Sequence, residues 1–169
     1  MKKLKLFILP LLILFAFGGC KLNYSFTGGN VDPKIKTVSV IYFPNVASIV
    51  QPTLSQSLTE ALRDKFSSQT KLTLVSKDGD LNIEGSITGY ATTPVAIQGN
   101  ETAALNRLTI TISVKFTNKI DEKMNFEQTF SRYEDYHSNL SLASVELSLI
   151  KDIDDQLVDD IFNKAVVNW

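Results

Sequence analysis

This sequence has a single cysteine, a single histidine and no excess of basic residues. A disulfide needs two thiols, and zinc sites normally use several cysteine or histidine ligands, so Cys20 and His137 alone support neither within the chain. The 17 basic residues are outnumbered by 18 acidic ones. Non-specific nucleic-acid binding depends on a surplus of lysine and arginine, so this composition disfavours that class of function.

The N-terminus has the pattern of a signal peptide. Three lysines within the first five residues give a positive start, and residues 6–17 form an apolar run that is too short for a comfortable membrane span. Phe17 and the following Gly-Gly-Cys, which ends at Cys20, resemble a lipobox, in which the cysteine thiol receives a diacylglyceryl group. We therefore expect residues 1–19 to be cleaved as a lipoprotein signal peptide and Cys20 to carry an N-acyl diacylglyceryl lipid. The alternative is an ordinary secreted protein whose cysteine lies near a cleavage site by chance.

The lipid would hold the mature protein on a membrane. Each buried CH₂ contributes about 0.8 kcal/mol, so several acyl chains make the attachment effectively permanent. Lys21 occupies the position where an aspartate is associated with inner-membrane retention, and residues 22–24 lack the acidic cluster that sends some lipoproteins to the cell surface. These residues favour the periplasmic side of the outer membrane. Without the signal peptide, 14 basic and 18 acidic side chains leave a net charge of −4.

The mature chain has the length of one domain behind a short tether. Residues 20–33 are rich in turn-forming residues and predict a lipidated tether, and residues 34–169 predict a single domain. Within the domain, Gly85 and Gly89 fall on the inward face of a predicted strand and leave room for a close helix or a bulge. Runs of β-branched residues and apolar alternation predict strands over 35–43, 71–75, 81–90, 108–116 and 125–136.

Helical spacing of apolar residues predicts two helices. One begins at Pro52 and Thr53 and ends before Ser67, and a longer one spans Ala143–Asn168. The predicted fold class is α+β: a two-layer sandwich with two helices packed on one face of a mainly antiparallel four- to five-stranded sheet, whose other face stays semi-polar. Thr92–Ala104 is predicted as a long polar loop that is mobile until a partner orders it.

Few residues are candidates for catalysis or for metal binding. His137 stands at the end of a predicted strand without a second histidine, and a surface position explains it better than catalysis. Asp152, Asp155 and Asp159 project together from the last predicted helix, but a rigid row of carboxylates leaves most of a calcium coordination sphere empty, so we interpret it as a solvated face. Asp154 points toward the apolar side, where we expect a cation or a partner to meet it. We predict no catalytic residue, no metal ligand and no cofactor other than the lipid.

Six segments of the chain, in order from the lipobox onward, resemble the LptE family of lipopolysaccharide-assembly lipoproteins. They are Cys20–Gly29, Ile35–Asn45, Leu58–Phe66, Asp80–Tyr90, Asn106–Asn118 and Gln156–Trp169. The resemblance implies a non-enzymatic protein that plugs the lumen of the LptD β-barrel, helps the barrel assemble and binds lipopolysaccharide during its delivery to the outer leaflet. A compact domain with a polar strand face agrees with that role, because barrel lumens are polar.

Lipopolysaccharide is anionic, so its binding requires lysine or arginine side chains. Arg107, Lys115, Lys119 and Arg132 lie on or beside the predicted central strands, and we name them as candidate ligand-binding residues. The competing interpretation is that these four side chains are simply solvated.

A second interpretation depends on Ile35–Val75. This segment also resembles the strand–helix–strand opening of CsgG-like and TolB-like envelope domains. The likeness implies an envelope secretion or scaffold lipoprotein that oligomerises or binds periplasmic partners. The plug, in contrast, predicts a one-to-one complex with a large barrel.

Overall fold

A computed structural model describes residues 31–95 and 105–166 of the chain. The predicted signal peptide, Cys20 and most of the predicted tether lie outside these residues. The described residues form, in chain order, β1 (Thr37–Val40), α1 (Leu54–Gln69), β2 (Thr73–Val75), β3 (Leu81–Val95), β4 (Leu105–Asn118), a 3₁₀ turn (Glu122–Met124), β5 (Phe126–His137) and α2 (Leu142–Val166).

The five strands form one mixed sheet in the order β2-β1-β3-β4-β5. β1 runs parallel to both of its neighbours, while β3 and β4, and β4 and β5, pair antiparallel. The parallel pairing of β1 and β2 follows from their connection through α1, since two parallel strands need a crossover that a helix supplies. The α+β two-layer fold is therefore confirmed. Its sheet is mixed in the first part, and its two longest strand pairs are antiparallel as predicted.

β1 is shorter than the predicted strand over 35–43, because the chain turns Phe43 into the core. The Phe43 backbone amide donates to Thr59 Oγ1 of α1 at 3.1 Å. The Phe43 ring covers Gly85 of β3, where an added Cβ would lie 2.6 Å from Phe43 Cε1. Gly85 thus makes room for a packed aromatic ring, not for a helix.

β3 is longer than predicted because a bulge changes its alternation. The pairing with β4 shifts between Ile87 and Gly89, and the extra residue leaves Tyr90, instead of Gly89, buried on the core side. Thr92–Val95 continue the ladder with β4, so the prediction of a loop over 92–104 was wrong for these four residues. The remainder of that predicted loop lies outside the described residues.

Both helices pack on one face of the sheet and close the core. α1 continues to Gln69, beyond the end predicted at Ser67, and the hydroxyls of Ser67 and Ser68 donate to carbonyls one turn earlier in the helix. Phe66 of α1 meets Phe162 of α2 edge to face, with ring centroids 5.1 Å apart. Neither of these helices is long and apolar enough to cross a membrane. Beneath them lie the buried side chains of β4, which are Leu108, Ile110, Ile112, Val114 and Phe116.

The opposite face of β3, β4 and β5 is covered by neither described helix. Side chains alternate across a strand, so the residues between the buried ones point to this second face. We call it the open face and take it as the candidate functional surface. It includes Asn82, Glu84, Ser86, Ala91, Thr93 and Val95 of β3, Leu105, Arg107, Thr109, Thr111, Ser113, Lys115 and Thr117 of β4, and Glu127, Thr129, Ser131, Tyr133, Asp135 and His137 of β5.

Candidate functional site: the open face of the sheet

Hydroxyl side chains line the middle of the open face. Thr109, Thr111 and Ser113 project from β4, and the hydroxyl oxygens of Thr111 and Ser131 lie 2.9 Å apart across the β4–β5 pair. At the bulge of β3, Thr88 Oγ1 donates to the Thr111 carbonyl oxygen at 3.3 Å. Threonine suits a strand because it is β-branched, and its hydroxyl keeps an uncovered sheet face compatible with water or a polar partner.

Arg107 lies near one end of the open face in a cluster with two side chains of β5. Its Nε and Nη2 donate to the two carboxylate oxygens of Asp135 at 2.7 and 2.9 Å, and its guanidinium carbon lies 3.6 Å from the centroid of the Tyr133 ring. Arg107 and Asp135 are directly opposite in the β4–β5 ladder, which brings their side chains together. The hydrogen bond with Arg107 lowers the pKa of Asp135, and the same bond raises the pKa of Arg107. The cluster is therefore a bidentate ion pair beside an aromatic ring.

Lys115 lies near the other end of the open face. Its Nζ is 2.9 Å from Glu84 Oε1, and Glu84 is the opposite residue on β3. The hydrogen bond with Glu84 raises the pKa of Lys115, and the charge of Glu127 adds to this effect. Lys115 is eight steps along β4 from Arg107, which corresponds to about 26 Å at 3.3 Å per step. The two cations share a face but form separate ion pairs.

Arg132 lies on the helix-covered side of β5. It is two residues from the buried Phe130, and strand side chains two residues apart share a face. Its Nε and Nη2 both donate to the carboxylate of Asp160 on α2 at 2.6 Å, and this bond raises the pKa of Arg132. Nearby, Gln156 of α2 donates to Glu134 of β5 at 2.6 Å. These contacts join α2 to the last strand of the sheet.

Lys119 lies just beyond the end of β4. Its Nζ donates to the Asp78 carbonyl oxygen and its backbone amide to the Asp80 carbonyl oxygen, both at 2.9 Å. The Asp80 carboxylate accepts two backbone amides at the start of β1, and these bonds lower its pKa. Of the four candidate residues, the structure brings Arg107 and Lys115 to the open face. Contact of any of the four with lipopolysaccharide stays a prediction.

His137 is exposed at the end of β5, opposite Leu105 of β4. Asp135, two residues earlier on the same face, is engaged by Arg107, and Glu134 belongs to the other face of the strand. In residues 31–95 and 105–166, no three or more histidine, cysteine, aspartate or glutamate side chains come together in a way that could hold a metal ion.

The row of carboxylates on α2 is exposed, as expected for a solvated face. Asp155 pairs with Lys151 one turn away at 2.7 Å, and Asp159 lies 2.6 Å from the Lys65 ammonium of α1. Asp152 is also exposed. This arrangement confirms the interpretation of the row as surface charge, with two of its members used in ion pairs.

Asp154 is buried between the two helices and is only 2% exposed. Its Oδ2 accepts the Ser57 hydroxyl of α1 at 2.6 Å, and its Oδ1 has no hydrogen-bond partner among the described residues. Burial raises the pKa of Asp154 to about 7, against the lowering effect of the Ser57 bond. The predicted direction of this side chain is confirmed, but it meets a hydroxyl group and not a cation.

Sequence reasoning missed two tyrosines. Tyr133 lies beside the guanidinium of Arg107 on the open face, and the Tyr90 hydroxyl donates to Glu146 of α2. Burial and the bond to Glu146 both raise the pKa of Tyr90, and burial has the larger effect. The contact of Tyr133 with Arg107 can be predicted once the strand register is known, because an aromatic side chain reaches the residue diagonal to it across an antiparallel pair. The sequence alone does not supply that register.

Comparison with known proteins connects this fold to a family. A family model described as LptE, lipopolysaccharide-assembly, matches residues 35–165. The structure is similar to that of an uncharacterized lipoprotein B from Nitrosomonas europaea, with 15% identity and a TM-score of 0.52 over 85% of this chain and 87% of that one. It is also similar to a Xanthomonas campestris protein, with 10% identity and a TM-score of 0.51 over 80% and 89% of the two chains. At these identities the two structures establish a shared fold alone. A search of curated protein sequences finds no match.

Proposed function

The chain belongs to the LptE lipopolysaccharide-assembly family, and from this membership we propose that it plugs, and helps to assemble, an outer-membrane β-barrel of the LptD type. In that position it assists the transport and insertion of lipopolysaccharide into the outer leaflet. The family is one of non-enzymatic lipoproteins that associate with components of lipopolysaccharide transport. The proposal therefore assigns a structural and ligand-delivering role and no catalytic step.

The open face is the observation that supports the plug. Barrel lumens are polar, but a charge that is buried there without a partner costs several kcal/mol. The two cations of the open face, Arg107 and Lys115, are already paired with Asp135 and Glu84, and hydroxyl groups fill the space between the pairs. Such a face can hydrogen-bond a polar wall at many points. Its carboxylate outside these ion pairs, Glu127, lies opposite Lys115 on β5.

Lipopolysaccharide recognition needs cations that a phosphate group can reach. The Lys115–Glu84 pair is exposed, and exposed ion pairs contribute only about 0.2–1 kcal/mol, so an anionic head group can displace Glu84 at small cost. Arg107 offers a planar, bidentate donor set beside the Tyr133 ring, which suits phosphate. Arg107 and Lys115 are the proposed contacts on the open face. Lys119 lies off that face, beside Asp78, and Arg132 becomes a contact if its ion pair with α2 opens.

A lipid on Cys20 completes the proposal. Membership in a lipoprotein family agrees with an envelope location, and the lipobox-like residues before Cys20 predict that the lipid is attached there. Residues 20–33 then tether the domain to the periplasmic side of the outer membrane. A lipid in that leaflet holds the domain beside the membrane-embedded barrel that it is proposed to enter.

Affinity purification of the tagged, membrane-extracted protein, with quantitative mass spectrometry of the co-purifying proteins, tests the plug. Recovery of an LptD-type barrel in a one-to-one amount is the expected result. The double variant Thr111→Glu/Ser113→Glu places unpaired charge on the open face and should lose the barrel. Its matched control is Ser144→Glu/Ser148→Glu on the exposed side of α2, which should keep the barrel.

The same experiment decides the second candidate function. The parallel β1–α1–β2 unit is the observation that favours an envelope secretion or scaffold lipoprotein. Self-association or periplasmic partners, recovered in place of the barrel, would support that candidate and contradict the plug.

A further inference from the structure

Seven exposed lysines collect at the end of the domain where the described chain begins. We call it the basic end and define it by residues 31–36, 71–72, 76–80, 119–125 and 164–166. Its lysines are Lys34, Lys36, Lys71, Lys77, Lys119, Lys123 and Lys164, all exposed. Within the described residues these lysines form no salt bridge, in contrast to Lys65, Arg107, Lys115, Arg132 and Lys151.

Backbone contacts hold the segments of the basic end together. The Lys36 carbonyl oxygen accepts the amide of Thr73, two residues after Lys71, at 2.9 Å. Asp80 joins the same junction, since its carboxylate accepts the Lys36 amide at 2.8 Å and its carbonyl oxygen accepts the Lys119 amide at 2.9 Å. The starts of β1 and β2 and the end of β4 therefore meet, and Lys36, Lys71 and Lys119 lie in the chain at or beside this junction.

The remaining segments of the basic end meet around a cavity of about 380 Å³. It is lined by residues from the start of the described chain, from the 3₁₀ turn and from the end of α2. Ile120, which is 44% exposed, adds an apolar side chain at this end. Five lining residues have a lysine as chain neighbour, and they are Pro33, Ile35, Asn118, Met124 and Ala165.

Charge is divided unevenly between the basic end and the rest of the described chain. The basic end has seven lysines against five carboxylates, a net charge of +2, while the other described residues have six basic against twelve acidic side chains, a net charge of −6. The carboxylates of Asp32, Asp80 and Asp121 accept backbone amides and are held against the chain, whereas all seven lysines are exposed. The domain is thus strongly dipolar, with its positive pole at the basic end.

The proposed lipid anchor joins the chain at this same end. Val31, the first described residue, lines the cavity, and the chain makes eleven residue-to-residue steps between Cys20 and Val31. That length spans at most about 40 Å when fully extended. The membrane that holds the lipid is therefore within reach of the basic end. The far end of β3 is about 46 Å away along the strand, at 3.3 Å for each of the 14 steps from Leu81 to Val95.

We propose that the basic end docks on anionic phospholipid head groups of the leaflet that holds the lipid anchor, so that β3, β4 and β5 rise from the membrane surface. This inference rests on the lipid anchor of the proposed function and adds the orientation of the domain. Each lysine near an anionic surface strengthens binding about fivefold, and the attraction fades within a Debye length of about 8 Å. Phospholipid fits better than lipopolysaccharide phosphate because the tether fixes the basic end beside the leaflet.

Lysine footprinting on vesicles tests the docking. The purified lipidated protein is reconstituted into vesicles of phosphatidylcholine alone, or with one third phosphatidylglycerol, and acetylated briefly before mass spectrometry of its peptides. For each lysine, the acetylation rate on the anionic vesicles is compared with the rate on the neutral vesicles. We expect the basic end to react at least fivefold more slowly on the anionic vesicles, with reversal in 0.5 M salt. Lys65, Lys115 and Lys151 serve as internal references and should not change.

A triple variant shows whether the lysines act together. In Lys34→Gln/Lys36→Gln/Lys123→Gln, protection of Lys71 and Lys77 should be lost. The double variant Lys65→Gln/Lys151→Gln is the matched control and should keep the footprint. Equal protection on neutral vesicles would show that the tether alone holds the domain near the surface, and it would overturn the proposal. Protection that requires added lipopolysaccharide would also overturn it.

The anchor and the barrel are measured separately in the same preparation. If the N-terminal peptide carries no lipid, co-sedimentation of the protein with anionic vesicles decides the docking. Retention that falls severalfold in the triple variant supports it, and no retention overturns it. The expected footprint without recovery of the barrel would contradict the proposed function and support the docking. Recovery of the barrel without the footprint would support the proposed function and contradict the docking.

Discussion

Replacement of Asp154 by asparagine is expected to stabilise the protein at pH 8 and to leave its stability almost unchanged at pH 4. Asp154 is buried between α1 and α2, with Ser57 as its hydrogen-bond donor. Burial holds the pKa of Asp154 at about 7, well above its ordinary value of 3.8. The folded protein therefore keeps this proton up to neutral pH, while the unfolded chain releases it near pH 4.

The sign and size of the effect follow from this difference in protonation. Between pH 3.8 and about 7 the folded state binds one more proton at Asp154 than the unfolded state, so the group lowers the free energy of unfolding as pH rises. Each pH unit changes the free energy of unfolding by about 1.4 kcal/mol, which gives a loss of about 4 kcal/mol above pH 7. Below pH 3.8 both states are protonated and the group has no such effect. Asparagine has nearly the same shape and does not titrate.

Urea unfolding of the wild type and of Asp154→Asn between pH 4 and pH 8 measures the difference. The gain in the variant should rise from near zero to about 4 kcal/mol and become constant above pH 7. Asp152→Asn, which changes an exposed carboxylate on the same helix, is the matched control and should show no such rise. Ser57→Ala removes the bond that lowers the pKa of Asp154, so the pH-dependent loss should extend to higher pH. A gain that stays constant from pH 4 to pH 8 would refute the assignment of a buried, protonated carboxyl group.

Three further substitutions test other parts of the structure. Gly85→Ala should lower the free energy of unfolding by about 1–3 kcal/mol in denaturant titration, because the new Cβ would lie 2.2 Å from a backbone oxygen. Gly89→Ala is the control and should lower it less, because its new Cβ would lie 3.1 Å from the nearest atom. Equal losses in the two variants would contradict the packing at Gly85. Asp135→Asn releases Arg107 from its ion pair and should tighten lipopolysaccharide binding up to about fivefold in a fluorescence titration. Unchanged affinity would remove Arg107 from the proposed contacts. Cys20→Ala should abolish the lipid mass on the N-terminal peptide in mass spectrometry, and a lipid that persists would show attachment elsewhere.

The pattern of β4 and α2 was enough to predict them. Alternation from Leu108 to Phe116 puts five apolar residues on one side of β4, and the structure buries all five. One face of this strand meets helices and the other does not, so the two-residue period reports burial directly. The same holds for α2, whose apolar residues from Leu149 to Ile161 recur every four positions and are buried.

Contacts between distant residues could not be predicted, because the sequence alone does not specify the strand register. The ion pair of Arg107 and Asp135 depends on a pairing 28 residues apart, and the bulge of β3 shifts the faces of all residues after it. Arg132 is different. It lies two residues from the apolar Phe130, whereas Arg107 is next to the inward Leu108, so strand alternation already separates the two arginines onto opposite faces.

Photocrosslinking from the open face decides whether this protein is a barrel plug. A photoreactive amino acid replaces Ser113 in the middle of the open face, and Ser148 on the exposed side of α2 serves as the comparison position. We predict that Ser113 crosslinks to an LptD-type barrel in intact cells and that the crosslinked species contains one copy of each protein. Crosslinks from Ser113 that join only a second copy of this chain, or a periplasmic protein in place of a barrel, would contradict the plug.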